Sequence, residues 1–140
     1  PGSRFDGPHY IARDSHGRIY TTEGYLGRIQ QFDPDGKPLR SWGNKSDDPG
    51  GFGSYELGGI TAGPVGVFVA PDDRIYVTSL SDRIHVFTTN GEFLYRFGIT
   101  GSEPGDFIKP HGMAMDSQGF FYVADAGNQR IQKFKLKPSR

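Results

Sequence analysis

Two histidines in this chain directly follow a proline, His9 after Pro8 and His111 after Pro110, and three arginines, Arg28, Arg83 and Arg130, each directly precede an isoleucine. Neutral imidazoles converging on one point could hold Zn²⁺ or a similar divalent ion. A ring of guanidinium groups could hold an anion through its fixed fork of N–H donors. Plainer roles compete with both. The histidines could simply cap strands and hydrogen-bond to loops, and the arginines could each serve an ion pair or stacking contact inside a repeated unit. The middle unit has Pro64-Val65 where the others have Pro-His, so the motif supplies two imidazoles per chain. Asp33-Pro34-Asp35-Gly36 opens like a Ca²⁺ loop but lacks the downstream bidentate Glu, and reads as a hairpin turn. Asn44-Lys45-Ser46 is a formal glycosylation sequon. His16 and His85 fall at a turn and in mid-strand and read as structural. No GxxxxGK[ST], HExxH or GxSxG motif occurs.

What positions these residues is a segment that occurs three times, Gly7 to Tyr20, Gly63 to Tyr76 and Lys109 to Tyr122. The spacing from Pro to Tyr is 12 in every copy (8 to 20, 64 to 76, 110 to 122). A fixed period of this kind marks a repeat architecture, in which no unit buries its apolar face alone. Each copy opens with a short apolar run (Tyr10-Ile11-Ala12, Val67-Phe68-Val69, Met113-Ala114-Met115) and turns at Asp and Gly. A β-prone run follows at Ile19–Thr22, Ile75–Thr78 and Phe121–Ala124. The third run starts at the Arg-Ile pair and carries a Phe three residues after the Ile, at Phe32, Phe87 and Phe134. Residues three apart in a strand point to opposite faces, so both faces of this strand are apolar and must be packed. The spacing predicts Ile29/Phe32, Ile84/Phe87 and Ile131/Phe134 buried between neighbouring units. A fourth run, Leu39 to Trp42 and Phe93 to Phe97, ends at Gly43 and Gly98.

Four antiparallel strands per unit, with a period of 46 from Pro64 to Pro110, describe β-propeller blades. The expected fold is all-β, with about three blades per chain and half of a six-bladed propeller. The expected division is a tail and cloning remnant at 1–4, then three repeats at 5–43, 61–98 and 107–136, with a Gly-rich insertion at 44–60. In such a blade the start of the first strand, the second-to-third turn and the blade-to-blade connection share one face. His9, His111, Arg28, Arg83 and Arg130 are therefore candidate ligands at the channel mouth, with His9 and His111 the metal candidates.

The pattern Pro-x-x-[apolar]-Ala-x-Asp, then Tyr122-Val123-Ala124-Asp125, then Asn128-Gln129-Arg130-Ile131-Gln132-Lys133-Phe134 resembles the NHL repeat. The connector Phe97-Gly98 to Phe107 and Pro110 fits as well, and the resemblance runs from Phe5 through nearly the whole chain. The first copy departs at Thr22-Glu23, the second at Thr78-Ser79 and Val86. The resemblance implies a six-bladed ring and roles that range from protein and RNA binding to extracellular sensing and one enzyme class. Peptidyl-hydroxyglycine amidating lyases are similar to NHL propellers and place zinc-binding histidines after just such a Pro, which is what His9 and His111 would imply here.

Composition narrows the partners. Glycine reaches 21 and aromatics 14%, as expected of many short strands and tight turns. Lys+Arg 16 balance Asp+Glu 16, which disfavours a broad nucleic-acid surface. With no cysteine there is neither a disulfide nor a thiolate zinc site, and no apolar run reaches the ~20 residues of a membrane span. A soluble protein, with an extracytoplasmic setting left open, is the expectation.

Three blades cannot close a ring, and the third lacks a fourth strand because its repeat ends near Leu136. Two copies would supply six blades; a longer natural chain is the other way to complete the ring. The leading expectation is a non-enzymatic propeller module that self-associates as a homodimer and serves as a binding scaffold for a protein or small ligand. The alternative is a metal-dependent lyase- or hydrolase-like propeller using Zn²⁺ or Ca²⁺ at the channel.

Overall fold

The computed structural model describes residues 7–54, 56–57, 60–61 and 63–136. The expected cloning remnant at Pro1-Gly2-Ser3 and the tail Lys137–Arg140 lie outside the described residues. Three antiparallel sheets follow one another along the chain. The first holds β1 (Pro8–Arg13), β2 (Ile19–Glu23), β3 (Arg28–Phe32) and β4 (Pro38–Trp42) in that order. A two-stranded ribbon, β5 (Glu56–Leu57) and β6 (Ile60–Thr61), precedes the second sheet of β7 (Pro64–Val69), β8 (Ile75–Ser79), β9 (Arg83–Phe87) and β10 (Phe93–Phe97). The third has three strands, β11 (Pro110–Met115), β12 (Phe120–Asp125) and β13 (Arg130–Lys135). The one described helical element is a 3-10 turn at Ala126–Asn128, and no described helix is long and apolar enough to cross a membrane. The sheets are propeller blades, as the repeat predicts.

The three blades share one register. Pro8 faces Glu23, Pro64 faces Ser79 and Pro110 faces Asp125, each followed by an irregularity before pairing resumes. The second and third strands of each blade then pair without a break from Glu23 with Arg28, Ser79 with Arg83 and Asp125 with Arg130. Strands β1 and β7 pack side by side, as do β7 and β11, so the first strand of each blade is innermost and β4 and β10 lie outermost.

Two apolar clusters form the core, one at each blade boundary. The first joins Tyr20, Ile29, Phe52, Val67, Ile75, Val77 and Phe87. The second joins Ala70, Tyr76, Ile84, Val86, Phe107, Phe121 and Val123. Ile84 and Phe87, three apart on β9, fall into opposite clusters, which is the two-faced burial the alternation requires. The third blade departs from the expectation at Ile131, which is 67% exposed where Ile29 and Ile84 are 0% exposed. Its side of β13 is uncovered, while Phe134 packs inward on the second cluster.

The connection after β4 is more structural than a Gly-rich loop implies. Phe52 lies nine positions after Gly43, as Phe107 does after Gly98, and both rings are fully buried plugs at their blade boundary. A Cβ on Gly43 or Gly98 would strike the ring of Phe52 or Phe107, and both glycines have positive φ, +102° and +96°. The extra length sits after the plug: 53–63 precede Pro64, whereas only 108–109 precede Pro110. The ribbon β5–β6 occupies part of that segment.

Candidate functional site

The rim at which the first strands begin carries both histidines and all three arginines, because β1, β7 and β11 start there and β3, β9 and β13 start from the turns beside them. His9 is exposed and lies against its own blade's β2–β3 turn, its ring 6.4 Å from that of Tyr25. His111 is partly buried, and its Nδ1 pairs with the Lys109 carbonyl at 2.7 Å. Each histidine thus has a local partner. Among the described residues no group of three or more His, Cys, Asp or Glu is assembled that could hold a metal ion.

The arginines divide two against one. Arg28 Nε donates to Glu23 Oε1 at 3.0 Å and its Nη2 to Oε2 at 3.2 Å. Arg130 Nε donates to Asp125 Oδ2 at 2.9 Å. In both blades a glutamine two residues along the third strand donates to the same carboxylate, Gln30 to Glu23 at 2.5 Å and Gln132 to Asp125 at 3.0 Å. Glu23 and Asp125 are completely buried. Burial pushes the Asp125 carboxyl up, but donors from Ile108 N–H, Asn128, Arg130 and Gln132 outweigh it and hold the group below the ordinary carboxylate value. These two arginines are internal ties of their blades, the plainer of the two roles their repetition allows.

Blade two keeps the arginine and loses the acid. Ser79 stands opposite Arg83, and His85 stands where Gln30 and Gln132 stand in the other blades. No salt bridge reaches Arg83 among the described residues, and its Nη1 is enclosed without a hydrogen-bond partner. Ser81 donates its hydroxyl hydrogen to the Phe52 carbonyl at 3.0 Å, so it accepts from Ser79 Oγ at 2.6 Å. Ser79 in turn accepts from His85 Nε2 at 2.9 Å. That chain assigns the proton of neutral His85 to Nε2 and leaves Nδ1, which is buried and unpartnered, as a bare acceptor. Burial, together with the positive charges of Arg96 and Arg83, pushes the imidazole pKa down to about 3.

In sequence Arg83 reads like the other two arginines and His85 reads as structural. The distinguishing signal was in the chain: an acid stands five residues before Arg28 and Arg130, whereas Thr78 stands five residues before Arg83 and the acid of its turn, Asp82, directly precedes it. A second departure is shared by the same blade. Asp14 and Asp116 accept from the Tyr20 and Tyr122 hydroxyls at 2.8 and 2.9 Å, whereas Ala70 takes that position in blade two.

Residues 107–134 match the NHL repeat family. NHL repeat-containing protein 3 of Homo sapiens is 33% identical over 75 residues, covering 51% of this chain and 22% of that protein. The E3 ubiquitin-protein ligase TRIM32 of Homo sapiens is 49% identical over 45 residues, which is 32% of this chain and 7% of the ligase. The chain therefore spans less than a quarter of the curated relatives it matches. Among solved structures, catalytically inactive H270A virginiamycin B lyase from Staphylococcus aureus with quinupristin aligns with a TM-score of 0.62 at 16% identity, over 92% of this chain and 41% of the lyase. That likeness concerns the fold.

Proposed function

We propose that this chain is a non-enzymatic NHL-type propeller module that completes a six-bladed ring with a second copy and presents its rim as a binding scaffold for a protein partner. The observation that carries the reading is the pair of exposed apolar faces on the first and third blades. Ile131 on β13 is 67% exposed where its counterparts Ile29 and Ile84 are fully buried. At the other end Ile11 is 70% exposed, and Val67, at the same register on β7, is 8% exposed. Ile29 shares a cluster with Val67, and Met113 packs on the cluster of Ile84. The grouping that recurs at each boundary, a third-strand Ile in one cluster with a first-strand apolar residue, would be made once more by Ile131 and Ile11 of the second copy.

Backbone spacing supports the same junction. A Cβ on Gly66 would collide with the His111 carbonyl of the next blade, whereas nothing lies within 4 Å of that point at Gly112. Gly112 is thus ready for a first strand to approach as closely as β11 approaches β7. Burial of such a face stabilises by ~25 cal/mol per Å², against an association cost of about 4–15 kcal/mol, and a closed two-fold ring makes the contact twice. On the rim, Tyr25 and Leu26 are exposed beside His9, an apolar point suited to a protein surface. The ubiquitin-protein ligases among the relatives favour a protein partner over a small-molecule reaction. Light scattering on the purified chain tests the assembly: twice the chain mass is expected at micromolar concentration, and a stable, well-folded monomer overturns it.

A further inference from the structure

We infer that blade two is a receptor for an external carboxylate, which takes beside Arg83 the place that Glu23 and Asp125 fill from within their own blades. The other two blades define what this cradle accepts. In each, the third-strand arginine and the side chain two residues along converge on one buried carboxylate. Blade two retains the guanidinium and a polar side chain at the second position, but offers Ser79, whose hydroxyl is already committed to Ser81 and His85. The buried Nη1 of Arg83 is left without a partner, a donor free for a carboxylate, whereas the buried Nδ1 of His85 is a bare acceptor and contributes no donor to it. A buried guanidinium N–H left unpaired carries a desolvation cost that a ligand anion would relieve.

There is room for one. A pocket of about 270 Å³ is lined by Arg83, His85, Ser81, Arg96, Thr100 and Asp47, among other residues. Arg96 adds a second positive charge, anchored by donation from Nη1 to the Asp47 carbonyl at 2.8 Å. The Asp47 carboxylate binds the Ser54 N–H and hydroxyl rather than either arginine. Asp82, one residue before Arg83, is likewise occupied, by the Lys109 N–H at 2.7 Å and Thr100 at 2.8 Å. The net balance of the pocket is positive, and its acids are engaged elsewhere. The volume admits a carboxylate with a few attached atoms, the size of a small organic acid or the end of a peptide. This site does not depend on ring closure, because every residue in it comes from one chain.

The test is an NMR titration of the full chain with acetate and with N-acetylglycine, a mimic of a peptide C-terminus, at chloride-matched ionic strength, with inorganic phosphate alongside. Saturable shifts are expected at the amides of Ser79, Ser81 and Arg83 and at the Arg83 Nε–H. Saturation by both acids identifies a site for free carboxylates; saturation by N-acetylglycine alone identifies the peptide terminus, and either supports the site. Ser79→Asp supplies the carboxylate from within and should weaken binding roughly tenfold or more, and Arg83→Gln should do the same. Shifts that never saturate, unchanged binding in a folded Ser79→Asp protein, or saturation by phosphate alone would each overturn the proposal. Should Ser79→Asp fail to fold, unchanged binding in Arg83→Gln overturns it equally.

Discussion

Thr78 donates its hydroxyl hydrogen to the main-chain carbonyl of His111 at 2.6 Å, across the boundary between the second and third blades. The same oxygen accepts from the Gly66 N–H at 2.9 Å, so one hydroxyl joins the first strands of two blades. Thr22 repeats the link at the first boundary, accepting from the Tyr10 N–H at 3.1 Å and donating to the Val65 carbonyl at 2.6 Å. At the corresponding place blade three has Ala124, which cannot make it. Blades are thus stitched by hydroxyls at their inner edge as well as by apolar faces.

Thr78→Val keeps the shape of the side chain and removes the link, leaving the Gly66 N–H and the His111 carbonyl unsatisfied. A loss of about 1–3 kcal/mol is expected by urea denaturation. Ala124→Thr, by contrast, should leave the single chain unchanged and strengthen the ring, because its hydroxyl gains the His9 carbonyl of a second copy as acceptor. Sedimentation equilibrium on that variant reads the second effect directly.

Phe52→Ala separates a plug from a loop. Its ring is fully buried against Phe87 at 5.7 Å and His85 at 5.0 Å between ring centroids, so truncation should cost about 3–5 kcal/mol. A change under 1 kcal/mol would mean that the connection after β4 is not part of the core.

His85 makes stability depend on pH. In the unfolded chain the imidazole takes up a proton below about 6.5, whereas in the fold burial delays this to about 3. The unfolded state therefore binds more protons across that window, and stability falls as pH is lowered through it, by ~1.4 kcal/mol per pH unit. His85→Gln, which installs the residue type of the other two blades, should flatten the curve between pH 6.5 and 4.5. The carboxylates held low in the fold, Asp14, Asp116 and Asp125, add their own loss only at more acid pH. An unchanged slope in the variant would remove His85 as its source.

Ile131→Glu places a charge on the exposed end face without touching the two core clusters. The variant should unfold at the same urea concentration per chain when dilute, yet show monomer mass where the parent shows the dimer. Equal assembly of parent and variant would place the contact on another surface.

Much of this protein is local, and what is local was legible. The Pro-to-Tyr spacing of 12, the Asp and Gly turns and the Ile/Phe alternation predicted three blades in register, because a strand's side-chain period and a hairpin's turn residues depend on neighbours a few positions away. The same logic made both histidines and all three arginines candidates for one rim, a placement that rests on where the strands begin. It could not tell that Phe52 is a plug inside an otherwise Gly-rich stretch, nor that β5 and β6 form a ribbon beyond it, since no periodicity marks either. Ile131 reads like Ile29 and Ile84 in sequence, and only the packing around β13 shows that it is exposed where they are buried. Arg83 likewise reads as one of three equivalent arginines until the hairpin register sets Ser79, rather than a carboxylate, across from it. Residue types and their spacing determined the blades; which groups remain unpaired was decided only by packing, because a partner is supplied or withheld across strands and between blades.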